Sequence, residues 1–223
     1  MLPVWLWASG YALMALLVAA LWGLGQARTQ PRRFALLGVF AAMMVLVMLL
    51  EVPPFGAHCN LSVVSGIVLG PQLAVPAALM VNLILALMGH GGLTVVGLNS
   101  LVLSTEMLVG YAVFRGLRRS RLRTGRAVFI ATVVGLAVGT ALSYGIIAAG
   151  APAINHTLQS AAAGGKTEIE IRAVAGAHLD LVRLALIMFG AGLIGWVVEG
   201  LLSSFVVAYL GKAFPRLFGE EPA

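Results

Sequence analysis

The stretch Val52–Gly110, VPPFGAHCNLSVVSGIVLGPQLAVPAALMVNLILALMGHGGLTVVGLNSLVLSTEMLVG, decides the fold of this chain. Its apolar runs have the length and character of membrane spans, yet they are interrupted by His58, Gly70-Pro71, Asn82, His90, Asn99 and Glu106. Hydrocarbon leaves a backbone break or an ionisable side chain unsatisfied, so such punctuation persists only where other helices shield it or where it lines a cavity. Function is therefore to be sought in this segment.

Outward from it, the composition agrees. Of 223 residues 61% are hydrophobic and only 10% charged, and the mean hydropathy is +1.02. A soluble core has no means of absorbing that much apolar surface, which leaves an integral membrane protein. Apolar segments run at about Pro3–Gly25, Phe34–Leu50, Leu61–Leu69, Leu73–Met88, Leu93–Phe114, Ala127–Ala149 and Leu181–Leu210. The expected fold is all-α: a polytopic transmembrane helical bundle of six to seven spans, with a broken or short hairpin around Gly70-Pro71, forming a single integral membrane domain over residues 1–223. Proline removes a backbone donor and ends ordinary helix, so the third and fourth segments are each short. The first segment lacks a basic start and is followed by further spans, so it reads as retained rather than as a cleaved signal. Cys59 is the single cysteine, which excludes an intrachain disulfide and any multi-cysteine metal or iron-sulfur centre within the chain.

Basic residues set the orientation. Of the 14 lysines and arginines, all but Lys166, Arg172 and Arg183 fall on one side if Leu61–Met88 makes a pair of passes or a re-entrant hairpin. That asymmetry places the N-terminus outside and the C-terminus in the cytoplasm of a multi-pass plasma-membrane protein. The loop RGLRRSRLRTGR lies between two spans without interleaved aromatics, so it anchors to anionic membrane lipids or a cytoplasmic partner, and nucleic-acid binding is not implied.

With this orientation His58, His90, His156 and His178 all face outward. Imidazole suits nickel, cobalt, copper and zinc, so an outer cluster fits capture of a divalent cation. His156 and His178 stand in the polar stretch Asn155–Asp180, where a solvated histidine is the ordinary outcome. His58 and His90 are better placed, each beside glycines at a span boundary, in FGAHCN and MGHGGLT. That outer stretch also holds an alternating run, Thr167–Ile171, that suits a short strand or a segment lying against the membrane surface. Glu106 and Glu199 sit in mid-span, where each reads either as a site residue or as a partner for a donor elsewhere in the bundle. Asn82 and Asn99 fit interhelical hydrogen bonding as well as ligation. Ala8, Ala12, Ala15 and Ala19 give the first span a small-residue face, suited to close docking of a partner helix through Ala15 and Ala19 or to plain lipid contact. No complete Gly-x-x-x-x-Gly-Lys-Ser/Thr phosphate loop, Gly-x-Ser-x-Gly elbow or His-Glu-x-x-His pair occurs, so an enzyme is not expected.

The run AHCNLSVVSGIVLGPQLAVPAALMVNLILALMGHGGLTVVGLNSLVLSTEMLVGY and the following basic loop resemble the substrate-capture membrane subunits of energy-coupling-factor cobalt and nickel transporters, the CbiM and NikM type. The resemblance rests on the histidine before a span, the LGP break, Gly89, Gly91, Gly92, Leu93, Thr94, Gly97 and Asn99 in GxGGLTxxGxN, and the late EGLLSSFVVAYL. It implies a helical bundle that takes nickel or cobalt as substrate near its outer face and works with a transmembrane coupling subunit and cytoplasmic ATPases. It also implies that His58 is a metal ligand, with His90 contributing where the family has aspartate, and that Asn99, Thr94, Gly91 and Gly92 support the site or pin its loop. The family's Met-His-Ile start is replaced by Met1-Leu2-Pro3-Val4-Trp5, so either the chelating start lies upstream or the site is altered. The expected function is substrate capture for an ATP-driven importer of a divalent transition-metal ion. The alternatives are a paralogue binding another small solute, a membrane-embedded enzyme using His58, His90 and Glu106, and an accessory protein that binds no substrate. Against the enzyme stands depth: Glu106 is about 18 Å below the outer end of its helix at 1.5 Å rise per residue.

Overall fold

A computed structural model describes residues 3–24, 31–49, 51–52, 57–163 and 180–213. Seven helices occur among them, one for each apolar segment: α1 (Val4–Leu24), α2 (Pro31–Leu49), α3 (Ser62–Leu69), α4 (Pro71–Leu87), α5 (Val96–Arg119), α6 (Thr124–Ala163) and α7 (Leu181–Ala213). Between α2 and α3, β1 (Glu51–Val52) and β2 (Ala57–His58) pair antiparallel, with Glu51 opposite His58. His178 and Thr167–Ile171 lie outside the described residues.

Runs of Leu, Val, Ala and Met with few charges satisfy their backbone internally as helices, and four of these are long and apolar enough to cross a membrane: Val4–Leu21, Leu93–Arg119, Thr124–Ala153 and Leu181–Ala213. Gly70 (φ 72) ends α3 and Pro71 starts α4, as the sequence requires. The eight residues of α3 rise only about 12 Å, less than half of the hydrocarbon core, so this limb is a buried half-helix rather than a complete pass. At the other extreme α6 does not stop near Ala149. It continues through Pro152 to Ala163 as a 40-residue helix, so His156 is an exposed helical residue rather than part of a loop.

The bundle is built around α5, and small residues let its neighbours reach its backbone. A methyl group on Gly97 would lie 2.6 Å from the Tyr11 amide nitrogen of α1, and one on Gly66 of α3 would lie 2.6 Å from the Met107 carbonyl. Val63 fills the space beside Gly110 and Gly135, which draws α3, α5 and α6 to one point. On α1, Leu6, Gly10 and Met14 turn inward at helical spacing, whereas Ala8, Ala12, Ala15 and Ala19 are exposed. The inward stripe of α7 is Glu199, Gly200, Ser203 and Val207, with large apolar side chains exposed on its other faces. In a membrane those faces meet lipid or another protein.

Candidate functional site

A cavity of about 420 Å³ opens among α2, α4, α5 and α6. Its exposed mouth is formed by His90, Gly91 and Asn99, and its buried polar lining by Asn82 and Glu106, with half-buried Asn60 and Ser143 between and with Met48, Leu85, Val102 and Leu103 as apolar wall.

The mouth is shaped by the turn after α4. Gly89, Gly91 and Gly92 have φ of 88°, 91° and 125°, a region that side chains disfavour, so the GHGG sequence is what allows the chain to double back here. Held between these glycines, His90 is tied to α4 by its own amide, which donates to the Leu85 carbonyl at 2.9 Å. The short helical turn Leu93–Val95 that follows is secured from α1, where the Tyr11 hydroxyl donates to the Leu93 carbonyl and Trp7 meets the Tyr11 ring edge-on at 6.4 Å. Asn99 lies against Gly91, its amide nitrogen 3.6 Å from where a Cβ would stand, but its side chain makes no hydrogen bond among the described residues. Thr94 is exposed on the same turn. Tyr11 thus holds this turn from α1.

The inner end of the cavity meets the strand-loop segment His58–Ser62. Asn60 donates from Nδ2 to Glu106 Oε2 at 2.8 Å, and the Ser62 hydroxyl donates to the same oxygen at 2.9 Å. Asn60 Oδ1 in turn accepts from the Ser62 amide at 2.8 Å, the side-chain-closed turn that Asn-x-Ser favours. Glu199 takes the next two amides, Asn60 N at 3.2 Å and Leu61 N at 2.9 Å. Both carboxyl groups are thus paired with bundle donors, and Glu106 also faces the cavity. Burial, and then the nearby Glu199 carboxylate, push the Cys59 thiol above its ordinary range, which disfavours the thiolate a soft metal would require.

Of the residues singled out in the sequence, His90, Gly91, Asn99 and Glu106 converge on this cavity, with Gly92 and Thr94 in the adjoining turn. The backbone of His58 is in β2, two residues before Asn60; its side chain lies outside the described atoms. His156 does not join the cavity, and Ala15 and Ala19 are exposed on α1 away from it. The rise that separates Glu106 from the outer end of α5 does not isolate it, since the cavity spans that depth. Asn60, Ser143 and Tyr11 were not singled out as site residues; only the Asn-x-Ser turn signature marks one of them locally. Among the described residues no three His, Cys, Asp or Glu side chains gather closely enough to hold a metal ion. Amides, one imidazole and one carboxyl around a cavity can bind and orient a polar or cationic guest.

The family model described as "Cobalt uptake substrate-specific transmembrane region", CbiM, matches residues 1–217. Two solved structures share the fold. One is a truncated transition metal transporter with TM-score 0.72 and 19% identity, covering 95% of this chain and 96% of that one. The other is a transition metal transporter with TM-score 0.71 and 21% identity, covering 95% and 90%. No curated protein matches the sequence. The family and these neighbours are metal transporters rather than enzymes, and the chain belongs to the CbiM family as a membrane component of transition-metal uptake.

Proposed function

We propose that the chain captures a nickel or cobalt ion in the cavity that opens at its outer face, lined by His90 at the mouth and met by the His58 loop at the inner end, for an ATP-driven importer of the energy-coupling-factor type. The observation that carries this reading is the convergence of two segments far apart in sequence on one cavity: the GHGG turn presenting His90, and the loop in which Asn60 follows His58 by two residues. Imidazole is a good donor to both metals, and nickel is held more tightly than cobalt by equivalent ligands. The donors described do not complete a coordination sphere, so water or further groups of the chain supply the rest. The partners in this reading are a transmembrane coupling subunit and cytoplasmic ATPases, met through the exposed α1 face that carries Ala15 and Ala19. The N-terminus is outside the plasma membrane and the C-terminus in the cytoplasm.

Isothermal titration of the purified protein with nickel and cobalt is the direct test. His58→Ala should weaken binding at least tenfold, about 1.4 kcal/mol. Equal affinity in wild type and variant removes His58 from the site.

A further inference from the structure

We propose that Glu106 and Glu199 are positioning residues for metal capture: from two different helices they clamp Asn60-Leu61-Ser62 and so fix where the loop carrying His58 meets the inner end of the cavity. The inference rests on the capture reading above.

A helix the size of α3 ordinarily closes its first amides with a cap from the adjacent residue, Ser, Thr, Asp or Asn. Here that residue is Leu61, which has no capping side chain and takes a left-handed φ of 50°. A bulky side chain in that conformation is strained and persists only where the surroundings hold it. The surroundings are two carboxyl groups distant in sequence. Glu199 of α7 receives the Asn60 and Leu61 amides, one on each oxygen, across 139 and 138 residues. Glu106 of α5 receives the Asn60 amide nitrogen and the Ser62 hydroxyl on one oxygen. Both side chains are buried, 7% and 3% exposed. Burying two carboxyl groups is costly, and neither takes an amide of α3 itself, whose first, Ser62 N, is already accepted by Asn60 Oδ1. What the distant carboxyls add is location: the loop is fixed relative to α5 and α7, and Gly139 keeps the space Glu106 needs, since a methyl there would lie 2.4 Å from its Cγ.

The test uses the whole chain in detergent, with nickel affinity by titration and the alkylation rate of Cys59 as readouts. Cys59 is the lone thiol and immediately precedes the clamped residues, so its alkylation rate per thiolate, taken from a pH–rate profile that removes the electrostatic influence of Glu199, reports loop position without metal. Glu106→Leu and Glu199→Leu should each weaken nickel binding about tenfold and accelerate alkylation severalfold. Glu106→Gln, which keeps one accepting oxygen, should recover both. In a His58→Ala background Glu199→Leu should change nickel affinity no further, because it acts through His58. A full additional loss in that background assigns Glu199 to general stability and overturns the proposal. If His58→Ala itself leaves affinity unchanged, the capture reading fails instead. If the leucine variants do not fold, Glu199→Gln decides: it replaces one of the two accepting oxygens with a donor NH2, leaving the Asn60 or the Leu61 amide without its acceptor, so Cys59 should react faster per thiolate than in wild type, and an unchanged rate refutes the clamp.

Discussion

His90 and Gly92 show how much of the site depends on single backbone angles. Gly92 has φ 125° and ψ 148°, a region open almost only to glycine, while the space around it is empty. Gly92→Ala therefore meets no neighbour and carries a purely conformational penalty. It should lower thermal stability by about 1–3 kcal/mol and, by re-aiming the turn, weaken metal binding. An unchanged melting temperature and affinity would show that the turn relaxes freely. The glycines of GHGG were legible in the sequence as a turn, and His90 as a candidate ligand. Asn60 was not, because its partner, Glu106, is 46 residues away, and a residue's distant hydrogen bonds leave no local pattern. Glu106 itself was visible as a buried acid of undecided role; only the bundle shows that it is both paired and facing the cavity.

At the scale of elements, the close approach of α1 to α5 depends on glycine at the contact. A methyl at Gly97 would strike backbone, 2.6 Å from Tyr11 N and 2.8 Å from Gly10 C, and backbone does not step aside as a side-chain tip does. Gly116 on the same helix has nothing within 4 Å of its added carbon. Gly97→Ala should destabilise the protein by about 1–3 kcal/mol through overpacking. Gly116→Ala should stabilise α5 by about 0.5–1 kcal/mol through backbone entropy. Thermal unfolding of the pair separates packing from propensity, and similar shifts in both would refute the close contact. All seven helices could be read from hydropathy, and so could the break at Gly70-Pro71, because both are local. The overrun of α6 could not, since Pro152 and a polar stretch look like an end. Proline costs a helix one bond without forbidding it when the helix is otherwise supported. Nor could the Tyr11–Leu93 bond, which joins residues 82 apart.

For the whole molecule, orientation and partner docking are the open quantities. A cysteine at Ser120, in a Cys59→Ala background, should resist a membrane-impermeant maleimide in intact cells and react after permeabilisation. Labelling of intact cells would put the arginine-rich loop outside and overturn the placement of His58 and His90 on one outer face. The exposed α1 face offers a second test. If the coupling subunit docks there, Ala15→Trp should abolish co-purification while leaving the melting temperature unchanged, because Ala15 is exposed. Retained co-purification would return this face to lipid.

The grip of Glu199 on Asn60 and Leu61 has a mechanical consequence. Its bond to Leu61 is 2.9 Å long, and a slide of α7 by a single residue's rise, about 1.5 Å along the bond direction, stretches it beyond hydrogen-bonding range. The loop is thereby geared to the tilt of a 33-residue helix whose outer faces are exposed. Helices longer than the hydrocarbon thickness tilt to fit it, so the thickness of the surrounding bilayer bears, through α7, on where the Asn60-Leu61 loop stands beside the cavity.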